Sequence, residues 1–177
     1  MNKAIEETKK WVQKLVIGLN LCPFAKLPFQ QDRIRYVVVD SQEEADLIRC
    51  VLQEMADLVK QPAARVETTL IIVPNQLGDF ADYLDFLAYA EELLEEAELV
   101  GILQIASFHP KYQFANTGKG DVENYTNRSP YPMLHLIREE SIERALENYP
   151  DPEQIPLRNV ARLRELGHEG VRDILGE

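Results

Sequence analysis

At 177 residues the chain is long enough for one domain with a substantial core, and 45% apolar residues exclude a disordered polymer. A net charge of −11 excludes a broad nucleic-acid-binding surface, since such surfaces neutralise phosphates with basic residues, but it leaves room for a local basic pocket. No apolar run is long enough to span a membrane, and two cysteines, Cys22 and Cys50, are too few for a disulfide framework.

In chain order, "MNKAIEETKKWVQK" (1–14) carries both signs of charge and no continuous hydrophobic segment. It does not read as a secretory signal, so the expected location is the cytoplasm. Ile5, Trp11 with Val12, Leu15 with Val16, and Leu19 recur at helical spacing and predict a helix over 3–19. Two prolines in "NLCPFAKLPF" (20–29) break it. "IRYVVVD" (34–40) is β-branched and aromatic, hence a strand. Ser41 with Glu44 three residues on predicts a capping box for a helix to about Lys60, burying Ala45, Ile48, Leu52, Met55 and Val59. "TTLIIVP" (68–74) reads as a short buried strand. Asp79 caps a helix to about Ala97, and the acidic "AEELLEEAEL" (90–99) lies on its solvated face. "LVGILQIASF" (99–108) is a third strand. Residues 109–129 show no periodicity, and so long an irregular stretch inside a compact domain is usually functional. Helices are expected over 131–148, 156–166 and 168–175, with Pro156 opening the second and Gly167 closing it.

Apolar strands alternating with helices predict a single α/β domain over 1–177. Its sheet should be small, mostly parallel and three- or four-stranded, with helices flanking it. The alternative is a ferredoxin-like two-layer α+β arrangement, which needs a further strand; the only candidates lie weakly around 112–116.

Three segments carry chemistry-bearing residues. In "GLNLCPFA" (18–25), Cys22 precedes a proline. It is either a buried thiol acting as a small hydrophobe or a nucleophile needing a nearby base. In "QIASFHPKYQFANTGKGD" (104–121), Gln104 interrupts an apolar strand, and a buried amide there must find partners. His109 stands at the carboxyl end of the third strand, where open α/β sheets bind ligands; the plainer role is a bond to loop backbone. In "NYTNRSPYPMLHLIRE" (124–139), Asn127 or Ser129 caps a helix whose first turn accommodates Pro130 and Pro132. Asn124, Tyr125, Thr126 and Arg128 exceed what a cap requires. A helix N-terminus attracts anions, and Arg128 beside it offers a two-pronged donor for carboxylate or phosphate. His135, one turn into that helix, is either half-buried and structural or shares the pocket. The tail "RNVARLRELGHEGVRDIL" (158–175) carries Arg158, Arg162, Arg164 and Arg172, with Arg158 and Arg162 on one helix face. This is an anion or RNA contact, or a bridge to the acidic helices.

Together the three blocks resemble a bacterial family known as domain of unknown function 1415, over nearly the whole chain. The family brings no established activity. The resemblance implies that Cys22, His109, Asn124, Tyr125, Asn127, Arg128 and His135 belong to the blocks by which its members are recognised.

The functional expectation is an enzyme, a hydrolase or group transferase, acting on a small anionic or phosphorylated molecule. Cys22 would be nucleophile, His109 acid or base, and His135 an accessory. Asn124, Tyr125, Asn127, Arg128, Ser129 and Gln104 would bind substrate. The alternative is a non-catalytic binder of a small anion or nucleotide. No nucleotide-binding glycine fingerprint appears, and no cofactor is assigned. A zinc reading from Cys22, His109, His135 and Asp121 lacks the close ligand spacing of zinc motifs. No membrane partner is expected.

Overall fold

The computed structural model describes residues 2–147 and 149–176. Six α-helices and a four-stranded sheet are found among them. Helix α1 (Lys3–Trp11) starts where the Asn2 side chain accepts the Ala4 amide at 2.9 Å. It runs on as a π-helical segment, Val12–Ile17, in which the Gly18 amide reaches back five residues to Gln13 O. A short helix, α2 (Lys26–Gln30), follows within the proline-containing break. Then come β1 (Ile34–Val38), α3 (Glu44–Lys60), β2 (Thr68–Ile72), α4 (Phe80–Glu96) and β3 (Leu103–Phe108). The long loop after β3 contains one 3-10 segment, Val122–Thr126. The chain closes with β4 (Met133–Arg138), α5 (Glu139–Leu146) and α6 (Ile155–Leu175), the last broken at Gly167, whose φ is 64°.

The strand order is β1-β2-β4-β3. β1 and β2 pair in parallel, and β4 runs antiparallel to both β2 and β3. So β1, β2 and β3 point the same way, as the alternation with helices predicted, and one reversed strand is inserted between the second and third. Side chains alternate across the sheet and divide the core in two. Val39, Ile71, Leu134 and Leu136 pack under α3 and α4, with Leu47, Met55, Tyr83 and Phe86. Leu70, Ile72 and Met133 pack under α1 and α6, with Trp11, Leu15, Leu163 and Val171. Helices on both faces make three layers, which rules out the two-layer alternative. The fourth strand is not at 112–116.

Three expectations are corrected. The helix expected over 131–148 is β4 followed by α5; its expected end at 148 lies outside the described residues. "MLHLI" is a short continuous apolar run, which does not distinguish helix from buried strand, and the open slot between β2 and β3 decides it. The buried stripe of α3 is Leu47, Val51, Glu54, Met55 and Leu58. Ala45, Leu52 and Val59 are exposed, and Ile48 is partly buried. The stripe is rotated because Glu54 belongs to it: Arg35 on β1 holds its carboxylate with two bonds, at 2.6 and 2.9 Å. The third concerns Ser41, which does not cap α3. Its hydroxyl accepts the Glu43 amide at 3.1 Å and donates to Asp46 at 2.5 Å, while Glu43 takes the cap position. By contrast Asp79 caps α4 as expected, accepting the Ala81 amide at 2.8 Å.

Candidate functional site

The carboxyl ends of β1, β2 and β3 face one edge of the molecule, and the loop 109–132 returns there to begin β4. The polar residues singled out in the sequence hold this loop together. Asn124 is fully buried. Its Oδ1 accepts the Phe114 amide at 3.1 Å and the Thr117 hydroxyl at 2.7 Å, and its Nδ2 donates to Gly118 O at 2.8 Å. Asn127 Nδ2 donates to Ser107 O at 3.0 Å, and its carbonyl accepts the His109 amide at 3.1 Å. Arg128 donates from Nε to Tyr112 O at 3.1 Å and from Nη2 to Lys119 O at 2.6 Å, with its guanidinium 5.2 Å above the Tyr125 ring. The Ser129 hydroxyl donates to Tyr131 O at 2.6 Å, and the Tyr131 hydroxyl donates to Glu7 on α1. The loop is also tied to α6: Arg164 pairs with Glu123 at 2.6 Å, and His168 bonds Gly120 O at 2.8 Å.

His109 is buried against the stacked rings of Phe80 and Tyr83, at centroid distances of 5.2 and 5.0 Å. Its Nδ1 accepts the Lys111 amide at 3.0 Å, so Nε2 carries the proton and donates to Leu77 O at 2.9 Å. Burial lowers its pKa, and both ring nitrogens are engaged by backbone. The Tyr83 hydroxyl, which no sequence motif marked, sits where β3 and β4 part: it donates to Met133 O at 2.7 Å and accepts the Phe108 amide at 3.0 Å.

Because residues 133–138 form a strand, no helix N-terminus stands behind Arg128 and Ser129, and the expected anion site on such a terminus is withdrawn. Pro130 and Pro132 precede a strand instead, and Pro132 O accepts the Val73 amide at 2.9 Å. His135 lies mid-strand on the α1/α6 face, bonded through Nε2 to the Thr68 hydroxyl at 2.6 Å; that hydroxyl donates to Leu136 O at 2.5 Å. Desolvation pushes its pKa down to about 4. Gln104 is exposed on the edge strand, not buried. Cys22 packs with the α1/α6 cluster, and burial raises its pKa. His109, resting on α4, belongs to the layer on the other side of the sheet. Among the described residues no three His, Cys, Asp or Glu side chains converge on a metal site, so Cys22, His109, His135 and Asp121 are not brought together.

A separate open cleft of about 220 Å³ lies between the end of the first helix and the start of α6. Leu19 and Asn20 form one wall, Tyr149 and Ile155 another, and Arg158, Asn159 and Arg162 reach in from α6. Asn20 takes a left-handed turn, with φ of 55°, where the helix stops. Asn159 Nδ2 donates to Leu21 O at 2.8 Å and so pins that turn to α6. The Arg158 guanidinium lies 5.5 Å over the Tyr149 ring, and Phe24 meets the same ring edge-on at 5.3 Å. Arg162 makes a surface pair with Glu165 at 3.3 Å. The paired arginines were legible from their spacing. Asn20, Tyr149 and Asn159 carried no comparable signal, since only the fold brings them together.

Layered helices about a mixed sheet, with a long self-bonded loop along its carboxyl edge, define a three-layer α/β domain. The family model described as "Protein of unknown function (DUF1415)" matches residues 3–173, and the chain belongs to that family. No curated protein and no solved structure matches it. Among the described residues, no helix is long and apolar enough to cross a membrane.

Proposed function

We propose that this protein binds a small anionic molecule without catalysis, and that the anion occupies the cleft between the first helix and α6. The observation that carries this reading is the placement of Arg158 and Arg162, one turn apart, in the lining of a cleft of about 220 Å³ that Asn20, Asn159 and Tyr149 also line. Two guanidinia on one helix face match the oxygens of a phosphate or carboxylate, and the Tyr149 ring orients the first of them. The exposed pair of Arg162 with Glu165 is readily exchanged for a ligand, because surface pairs contribute about 0–1 kcal/mol. Binding without chemistry is favoured over the hydrolase or transferase expectation because His109 and His135 are neutral and bonded within the fold. The Cys22 thiol is likewise disfavoured as a thiolate.

The test is a titration of isotope-labelled protein with inorganic phosphate and with a nucleoside monophosphate, read by amide shifts. Shifts are expected at Asn20, Arg158, Asn159 and Arg162. The double variant Arg158→Ala/Arg162→Ala should weaken binding at least about 100-fold, roughly tenfold for each guanidinium removed from the anion. Unchanged affinity in that variant, or shifts centred on 109–132, would overturn the assignment.

A further inference from the structure

A second cleft, of about 200 Å³, opens where α1, the end of α2 and the edge strand β1 meet. It shares no lining residue with the cleft beside α6. Ile34 and Tyr36, two apart on β1, turn the same way and join the cluster under α1 and α6, where Phe29 of α2 also packs. These three give the cleft an apolar wall. Lys9 enters from α1, its ammonium 5.1 Å over the Tyr36 ring. Asp32 enters from the turn after α2, in a left-handed conformation with φ of 53°. The polar groups of this lining are not bonded to one another. Among the described residues Lys9 and Asp32 form no ion pair, with each other or with a third group. The Tyr36 hydroxyl is buried without a hydrogen-bond partner. Burial raises its pKa, and the charge of Asp32 adds to the rise.

Elsewhere the fold closes its polar clusters internally, as Asn124 does with three partners in the loop. Here a cation and an anion line one apolar-walled cleft and stay unpaired. A small ligand that uses both must itself carry both charges. We propose that this cleft binds a free α-amino acid with an apolar or aromatic side chain. Its carboxylate meets Lys9, its ammonium meets Asp32, and its side chain lies on the wall of Phe29, Ile34 and Tyr36, where burial of apolar surface adds to the two charge contacts. Such a ligand is neutral overall, so the chain's net charge of −11 does not repel it.

Isotope-labelled full-length protein titrated with leucine and with phenylalanine should show amide shifts at Phe29, Asp32, Ile34 and Tyr36. N-acetylleucine lacks the ammonium and leucine methyl ester lacks the carboxylate; each should bind about tenfold more weakly than leucine, or worse. Lys9→Met keeps an apolar stem of similar length and removes the charge. It should weaken leucine by about the same tenfold and leave the methyl ester unchanged. Asp32→Asn, which tolerates the left-handed turn, should weaken leucine and spare N-acetylleucine. Equal binding of leucine and its two blocked forms overturns the proposal. So does the absence of shifts at these four residues with about 10 mM ligand, or shifts confined to Asn20 and Arg158. The ligand series is read on the unmodified protein, so it decides the matter whether or not a variant folds.

Discussion

His135 shows how a single half-buried ring sets a pH dependence. An imidazole with an ordinary pKa of 6.5 is held near 4 in the fold because its strand position removes water from the ring. The unfolded chain therefore binds a proton that the folded one refuses. Stability is complete above 6.5 and is lost as pH falls from 6.5 to about 4. The full loss from this group is at most about 3.5 kcal/mol. His109, also lowered, adds in the same direction. Glu123 is held low by Arg164, so its share appears only once the pH enters the carboxylate range. Urea unfolding at neutral and mildly acid pH should show this decline, and His135→Gln should flatten it. An identical slope in the variant would mean that another group titrates.

At the scale of the element, the loop 109–132 behaves as a structured unit with its own polar core. Asn124 is its hub, serving Phe114, Thr117 and Gly118 at once. Asn124→Ala removes three hydrogen bonds and strands buried partners, at a cost of about 3 kcal/mol. The loss should appear in denaturant unfolding, with faster amide exchange over 113–118; exchange that rises uniformly would show that the loop is not a unit. The density of Asn, Thr, Ser and Arg here was legible in the sequence as something beyond a helix cap. What it was for was not. A loop that bonds itself and a loop that bonds a ligand draw on the same donors and acceptors, because every buried backbone group needs a partner either way. Arg128 illustrates the point: the residue best suited to an anion is engaged by the carbonyls of Tyr112 and Lys119.

For the whole molecule, the order β1-β2-β4-β3 makes folding depend on the last strand. β3 does not pair with β2 directly; β4 lies between them, so both would present open edges without it. A chain ending at residue 131 should therefore lack cooperative unfolding and dispersed amide resonances, although it keeps α1, α3 and α4. A folded spectrum from that fragment would refute the dependence.

Local chemistry along the chain was enough for the α/β class, the three parallel strands, the cap at Asp79, the break at Gly167 and the family. Each rests on a neighbouring residue or on a periodicity that one element imposes on its own side chains. It took the assembled fold to decide that "MLHLI" is a strand, that Glu54 points inward against Arg35, and that Gln104 faces solvent. The fold also separated Cys22 and His109 into different layers, while it gathered Asn20, Tyr149 and Asn159 around Arg158 and Arg162. These outcomes depend on partners far away in the chain, and period and propensity carry no information about which distant group will be there.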